Sequence, residues 1–132
     1  MISIDDFKKI EIKIGKIISV EKVPDTGKLL RLEVDMGLKP SSQKEDGSPD
    51  HLAEQNDLER KTDIRQIISG IALYFSDIQV LVGKKCAFVA NLEPRTIRGL
   101  ESQGMIMAAS TEDGSFSLLE VSDSIPTGTL IK

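Results

Sequence analysis

Two short segments alternate apolar and polar residues with a period of two, and this limits the fold more than any other feature. In Leu30 to Met36, Leu30, Leu32, Val34 and Met36 point one way and Arg31, Glu33 and Asp35 the other. In Lys9 to Val20, Ile10, Ile12, Ile14, Ile18 and Val20 share a face; Gly15-Lys16 interrupts them, and Ile17 falls on the opposite face. Successive side chains of a strand project to opposite sides, so both segments read as half-buried strands. The glycine predicts a bulge or sharp bend. Between them VPDTGK, residues 23–28, carries Pro, Asp and Gly turn chemistry.

A third strand is predicted at Ile64 to Ile71. A short helix follows, with Ser76 as N-cap, Asp77 in its first turn and Gly83 ending it. The fourth strand, Lys85 to Leu92, is apolar almost continuously, which predicts cover on both faces; the fifth, Gly104 to Ala109, is similar. Phe116 to Val121 and a short TLIK run after Pro126 and Gly128 complete the chain. Three strands, a short helix and two strands match an all-β, five-stranded OB-fold barrel with a helix between strands 3 and 4 and N- and C-terminal extensions. An up-and-down sandwich competes, and the short helix counts against it.

The 132 residues predict one domain, residues 1–132. Residues 39–63 differ from the rest. They are polar throughout, with four basic and seven acidic residues, and read as an insertion of the kind often disordered. The net charge of −4 argues against a simple nucleic-acid binder. Outside 39–63, however, 13 basic residues face 14 acidic ones, so the body is near neutral. No apolar run approaches the ~20 residues of a bilayer span, and the N-terminus lacks the apolar centre of a signal peptide. With a single cysteine, these features predict a cytoplasmic protein with no membrane partner.

OB-folds bind oligonucleotides with the face of strands 2 and 3 and the loops joining strands 1–2 and 4–5. Those loops are Val23 to Lys28 and Glu93 to Gln103 here. Lys28, Arg31, Arg65, Arg95 and Arg98 are candidates to neutralise phosphates, and Asn91 and Ser102 to hydrogen-bond bases or sugars. Each has a plainer reading: a solvated loop arginine, a turn asparagine. Met105 and Met107 read as core, and Gly99 and Gly104 as backbone devices. The five aromatics, with no Trp, suit recognition of shaped RNA better than single strands, which call for stacking platforms. Nothing points to catalysis. His51 lies in the polar stretch, Cys86 in an apolar strand, and no Ser/His/Asp set, metal-ligand cluster, Walker loop or GxGxxG occurs. No catalytic residue, metal ligand or cofactor is therefore predicted.

ANLEPRTIRGLESQGMIMAAS, residues 90–110, resembles the signature of the tRNA-binding domain family. The family includes free-standing structure-specific tRNA-binding proteins and the C-terminal domain or beta subunit of methionyl-tRNA synthetases. IDDFKKIEIKIGKIISVEKVPDTGKLLRLEVDMG is similar to its opening strands, RQIISGIALYFSDIQVLVGKK to its third strand and helix, and FSLLEVSDSIPTGTLIK to its C-terminal extension. The resemblance covers nearly the whole chain outside 39–63. It implies an OB barrel whose extensions build a homodimer and which binds the outer corner of tRNA by shape. The family's contact positions match Lys28, Asn91, Ser102 and Met105, which gives Met105 a second reading as a contact. Two departures stand out: the polar stretch, and Glu93 where a basic residue is common. The resemblance leaves two functions open. One is a non-catalytic tRNA-binding module, alone or partnered with a methionyl-tRNA synthetase catalytic subunit. The other is a secretion-chaperone-like dimer that binds unfolded peptides.

Overall fold

The computed structural model describes residues 1–38 and 62–132. A single helical turn, α1 (Ile4–Phe7), is capped by Ser3, whose side chain accepts from the Asp6 N–H. The strands are β1 (Ile12–Lys22), β2 (Leu30–Leu38), β3 (Thr62–Ser69), β4 (Lys85–Val89), β5 (Arg95–Ile97), β6 (Leu100–Ser102), β7 (Met105–Ile106), β8 (Ala108–Ser110), β9 (Phe116–Leu118) and β10 (Leu130–Ile131). The main antiparallel sheet runs β3-β2-β1-β4-β7, with β10 added beside β1. These five principal strands curl into an OB-like all-β barrel. The long β1 makes the curl. Its first half pairs with β4, from Ile12↔Val89 to Lys16↔Lys85, and its second half with β2, from Lys16↔Asp35 to Lys22↔Leu30.

The faces of β1 differ from the alternation read in the sequence. The bulge lies at Ile18, between the pairs Ile17↔Val34 and Ser19↔Glu33. One extra residue reverses the alternation from there on. Ile17 and Val20 therefore both enter the main core, whereas Ile18 and Ile10 are exposed. Ile12 and Ile14 pack on the opposite side of the sheet with Ala87 and Val89, under Met107, Val121 and Ile125. Gly15 is needed for close approach rather than for the bulge. A Cβ there would lie 2.6 Å from Val34 Cγ1 and 2.7 Å from Met36 Sδ.

The fourth strand is covered on both faces, as its composition predicts. Cys86, Phe88 and Ala90 join the main core; Ala87 and Val89 join the smaller cluster. The helix predicted from Ser76 is instead two 3₁₀ turns, Ala72–Tyr74 and Ile78–Leu81. Asp77, not Ser76, caps the second by accepting from the Gln79 N–H, and Leu81 from that turn is buried in the barrel. The predicted fifth strand is broken into β7 and β8. Of the polar stretch 39–63, only Thr62 and Asp63 are described, and they open β3. The remainder, with His51, lies outside the described residues.

Candidate nucleic-acid interface

The stretch 93–103, read as a loop, contains a tight hairpin. β5 and β6 pair through Arg95↔Ser102, Thr96↔Glu101 and Ile97↔Leu100. Arg98 (φ 53°) and Gly99 (φ 80°) form the two-residue turn, and positive φ at both positions is the type I′ geometry that matches strand twist. The fold thereby sets Arg98 at the hairpin tip. Across a cleft of about 280 Å³, Ile97 and Arg98 face Asp25, Gly27 and Lys28 of the β1–β2 loop. That loop is fixed by Thr26 Oγ1 donating to the Val23 carbonyl at 2.7 Å. The two loops expected to share an interface thus meet at one end of the barrel.

Lys28, Arg95 and Arg98 are exposed, and none forms an ion pair with another described residue. Met105 keeps 49% of its surface exposed. It borders a recess of about 70 Å³ with Leu92, Arg95 and Ile97. It thus lies at the rim and outside the core, whereas Met107 packs on the smaller cluster.

The other four candidates are held by the protein itself. Arg31 spans the open sheet face, donating to Gln66 Oε1 at 2.9 Å and pairing with Glu21 at 3.0 Å. Arg65 donates from Nη1 to the carbonyls of Ala90 (2.5 Å) and Gln103 (3.2 Å), and pairs with Asp63. Asn91 accepts from the Glu11 N–H at 2.8 Å and donates to the Lys9 carbonyl at 2.7 Å, fastening the chain's entry into β1. Ser102 is 4% exposed; its hydroxyl accepts from the Ile68 N–H at 3.0 Å and donates to the Gly104 carbonyl. Arg65 and Ser102 belong to the seam between β3 and the hairpin. Gln66 and Gln103 complete it, with Gln103 N–H donating to the Gln66 carbonyl at 2.8 Å and Gln66 N–H to Gln103 Oε1 at 3.0 Å.

Sequence reasoning passed over Glu21, Glu33, Gln66 and Gln103. Glu33 accepts from Ser19 Oγ at 2.7 Å, so both acids stand beside Arg31 on the face that OB-folds offer to nucleic acid. The alternation of β2 already placed Glu33 on Arg31's side; the cross-strand partners emerge only from the register. Of the five candidate cations, Lys28, Arg95 and Arg98 are thus the ones without an ion-pair partner among the described residues. Cys86 is buried, and desolvation, then the charge of Glu120, pushes its thiol up to about 11 despite Lys84 nearby. It is protonated at neutral pH and is no nucleophile there. Among the described residues, no group of three or more His, Cys, Asp or Glu side chains is arranged to hold a metal, and no helix is long and apolar enough to cross a membrane.

A family model described as a putative tRNA binding domain matches residues 52–130. The chain is 41% identical over 131 residues to a methionine–tRNA ligase of Lactococcus lactis, covering 98% of this chain and 16% of that protein. It is 38% identical to the methionine–tRNA ligase of Thermotoga maritima, again over 98% of this chain and 16% of the ligase. The chain therefore spans about one sixth of the length of these curated relatives. Among solved structures, a MetRS related protein from Pyrococcus horikoshii superposes with a TM-score of 0.76 at 33% identity, covering 100% of this chain and 98% of that one. The chaperone CsaA of Bacillus anthracis shares the fold, with a TM-score of 0.72 at 23% identity over 100% of this chain and 99% of that one.

Proposed function

Since the chain belongs to the tRNA-binding domain family, we propose that it acts as a non-catalytic module that grips the outer corner of tRNA by shape. The observation that carries this reading is the convergence of Lys28 and Arg98 across one cleft, with Arg95 on the same hairpin. Three cations at a rim engage phosphates spaced along a folded RNA, and Met105 packs on a ribose or base beside them. Lys28 and Met105 carry the contact role directly. Asn91, Ser102, Arg31 and Arg65 serve it by holding the loops in place. The module works in the cytoplasm, in trans with a methionyl-tRNA synthetase catalytic subunit, and raises tRNA affinity by adding binding surface.

The working unit is a homodimer. An apolar groove of about 360 Å³, lined by Ile4, Phe7, Ile10, Leu130 and Ile131, runs between the N- and C-terminal segments. Closing it against a second copy would bury Ile4, Ile10, Leu130 and Ile131, which are exposed in one chain. The same groove favours one rival reading, capture of an unfolded peptide.

A salt-titrated binding assay decides between them, comparing intact tRNA, an unstructured RNA of equal length and an unfolded peptide. Preferential tRNA binding that weakens as salt rises is expected. Arg95→Glu/Arg98→Glu should remain folded and dimeric and lose tRNA affinity by at least about tenfold, since two phosphate contacts become repulsive. Unchanged affinity in that variant would sink the site assignment. Peptide binding without tRNA preference would replace the whole reading with the chaperone one.

A further inference from the structure

Three of the chain's five aromatic residues gather at one place beside the β1–β2 loop. Tyr74 stacks on Phe116 with ring centroids 4.0 Å apart and planes within 8°, while Phe75 meets Phe116 edge-on at 5.8 Å. Phe75 and Phe116 pack against the main core. Tyr74 is thus held flat from beneath, yet it keeps 49% of its surface exposed. It opens on a cleft of about 620 Å³ bordered by Lys22, Thr26, Gly27, Leu29 and Leu73. This volume lies within the range of small-molecule sites.

We propose that this cleft binds one unpaired nucleobase of the RNA, stacked on the free face of Tyr74, with Lys22 neutralising the adjoining phosphate. The inference rests on the tRNA-binding reading above and extends that interface to the other side of the β1–β2 loop. Thr26, Gly27 and Leu29 border both this cleft and the cleft of Arg98. A strand leaving Arg98 therefore has only the width of one loop to cross. The two clefts are also tied together, because the Lys28 carbonyl accepts from the Ala72 N–H at 3.0 Å, at the start of the turn that carries Tyr74. Stacking on a pre-positioned ring costs little ordering entropy, and every base has a π-face, so the site needs no sequence preference. Lysines on both sides of the loop, Lys22 and Lys28, favour a polyanion over an aromatic side chain of a peptide as the occupant.

Tyr74 is the only tyrosine and the chain has no Trp, so its intrinsic emission reports on this cleft alone. The experiment titrates intact tRNA into the wild-type chain and follows tyrosine emission, corrected for RNA absorbance, with filter binding in parallel. Quenching that saturates with binding is expected. Tyr74→Leu should bind tRNA about tenfold more weakly with an unchanged salt slope, because a stacking contact is lost and no phosphate contact is. Tyr74→Phe should bind within about twofold of wild type, since it keeps the ring. If wild type binds tRNA with emission unchanged, the stacking site is overturned and the tRNA reading stands. If wild type fails to bind tRNA at all, both fall. Quenching by unfolded peptide in place of tRNA also overturns the proposal. The wild-type emission needs no substitution, so the result stands even where Tyr74→Leu unfolds.

Discussion

Arg65 and Arg98 are the same residue type on two sides of one seam, and the protein uses them in opposite ways. Arg65 sits opposite Val34 in the β2–β3 register, on the side of the sheet that faces the barrel interior. There its guanidinium meets the carbonyls of Ala90 and Gln103 and the carboxylate of Asp63. Arg98 occupies a turn position with positive φ, and its side chain has no ion-pair partner among the described residues. The difference teaches that a cation near a binding surface must be sorted by the neighbours its register provides. On the proposed reading, seam residues should set stability, whereas rim residues should set affinity and its salt dependence.

The largest effect that tests this division is Arg65→Ala. It removes donors from two carbonyls at the barrel mouth and leaves Asp63 without its partner, which predicts a loss of about 3 kcal/mol in urea denaturation. At a temperature where the variant is still folded, the salt slope of tRNA binding should match wild type. A near-normal stability with a shallower slope would move Arg65 from the seam to the rim. Ser102→Ala comes next. The buried Ile68 N–H loses its acceptor, and the expected cost is about 1–3 kcal/mol. The salt slope is again expected to hold, and a stability within about 0.5 kcal/mol of wild type would contradict the seam role.

The sequence made the strands legible wherever alternation was regular. Leu30 to Met36 alternates without a fault, and β2 follows it residue for residue. The unbroken apolar run of β4 announced its two covered faces. The faces of β1 are not legible in the sequence because a bulge adds one residue to one strand only, and nothing in Ile17-Ile18-Ser19 marks which residue is extra. The roles of Arg65, Asn91 and Ser102 were illegible for a different reason. Each bonds to backbone groups far along the chain, as Asn91 does to Lys9 and Glu11, and local propensity carries no trace of such partners. Tyr74 was likewise invisible as a platform until Phe116 came to lie beneath it. The hairpin tip was nearer to being readable, since Arg98-Gly99 between Ile97 and Leu100 has the spacing of a two-residue turn.

The smallest stability effect belongs to Arg98→Ala, and it is the sharpest test of the rim. The side chain stands in solvent, so unfolding free energy should change by less than about 0.5 kcal/mol. The signature to seek is the slope of binding against salt. Losing one phosphate contact lowers the dependence of log K on log salt by about 0.7 to 0.9, and affinity falls alike for every tRNA tested. Two results would break the comparison with Arg65. A destabilised Arg98→Ala would mean the tip is held by its side chain and belongs to the seam after all. An unchanged slope with weaker binding would mean Arg98 touches something other than phosphate, and the cleft it shares with Lys28 would then have to be read as a site for an uncharged group.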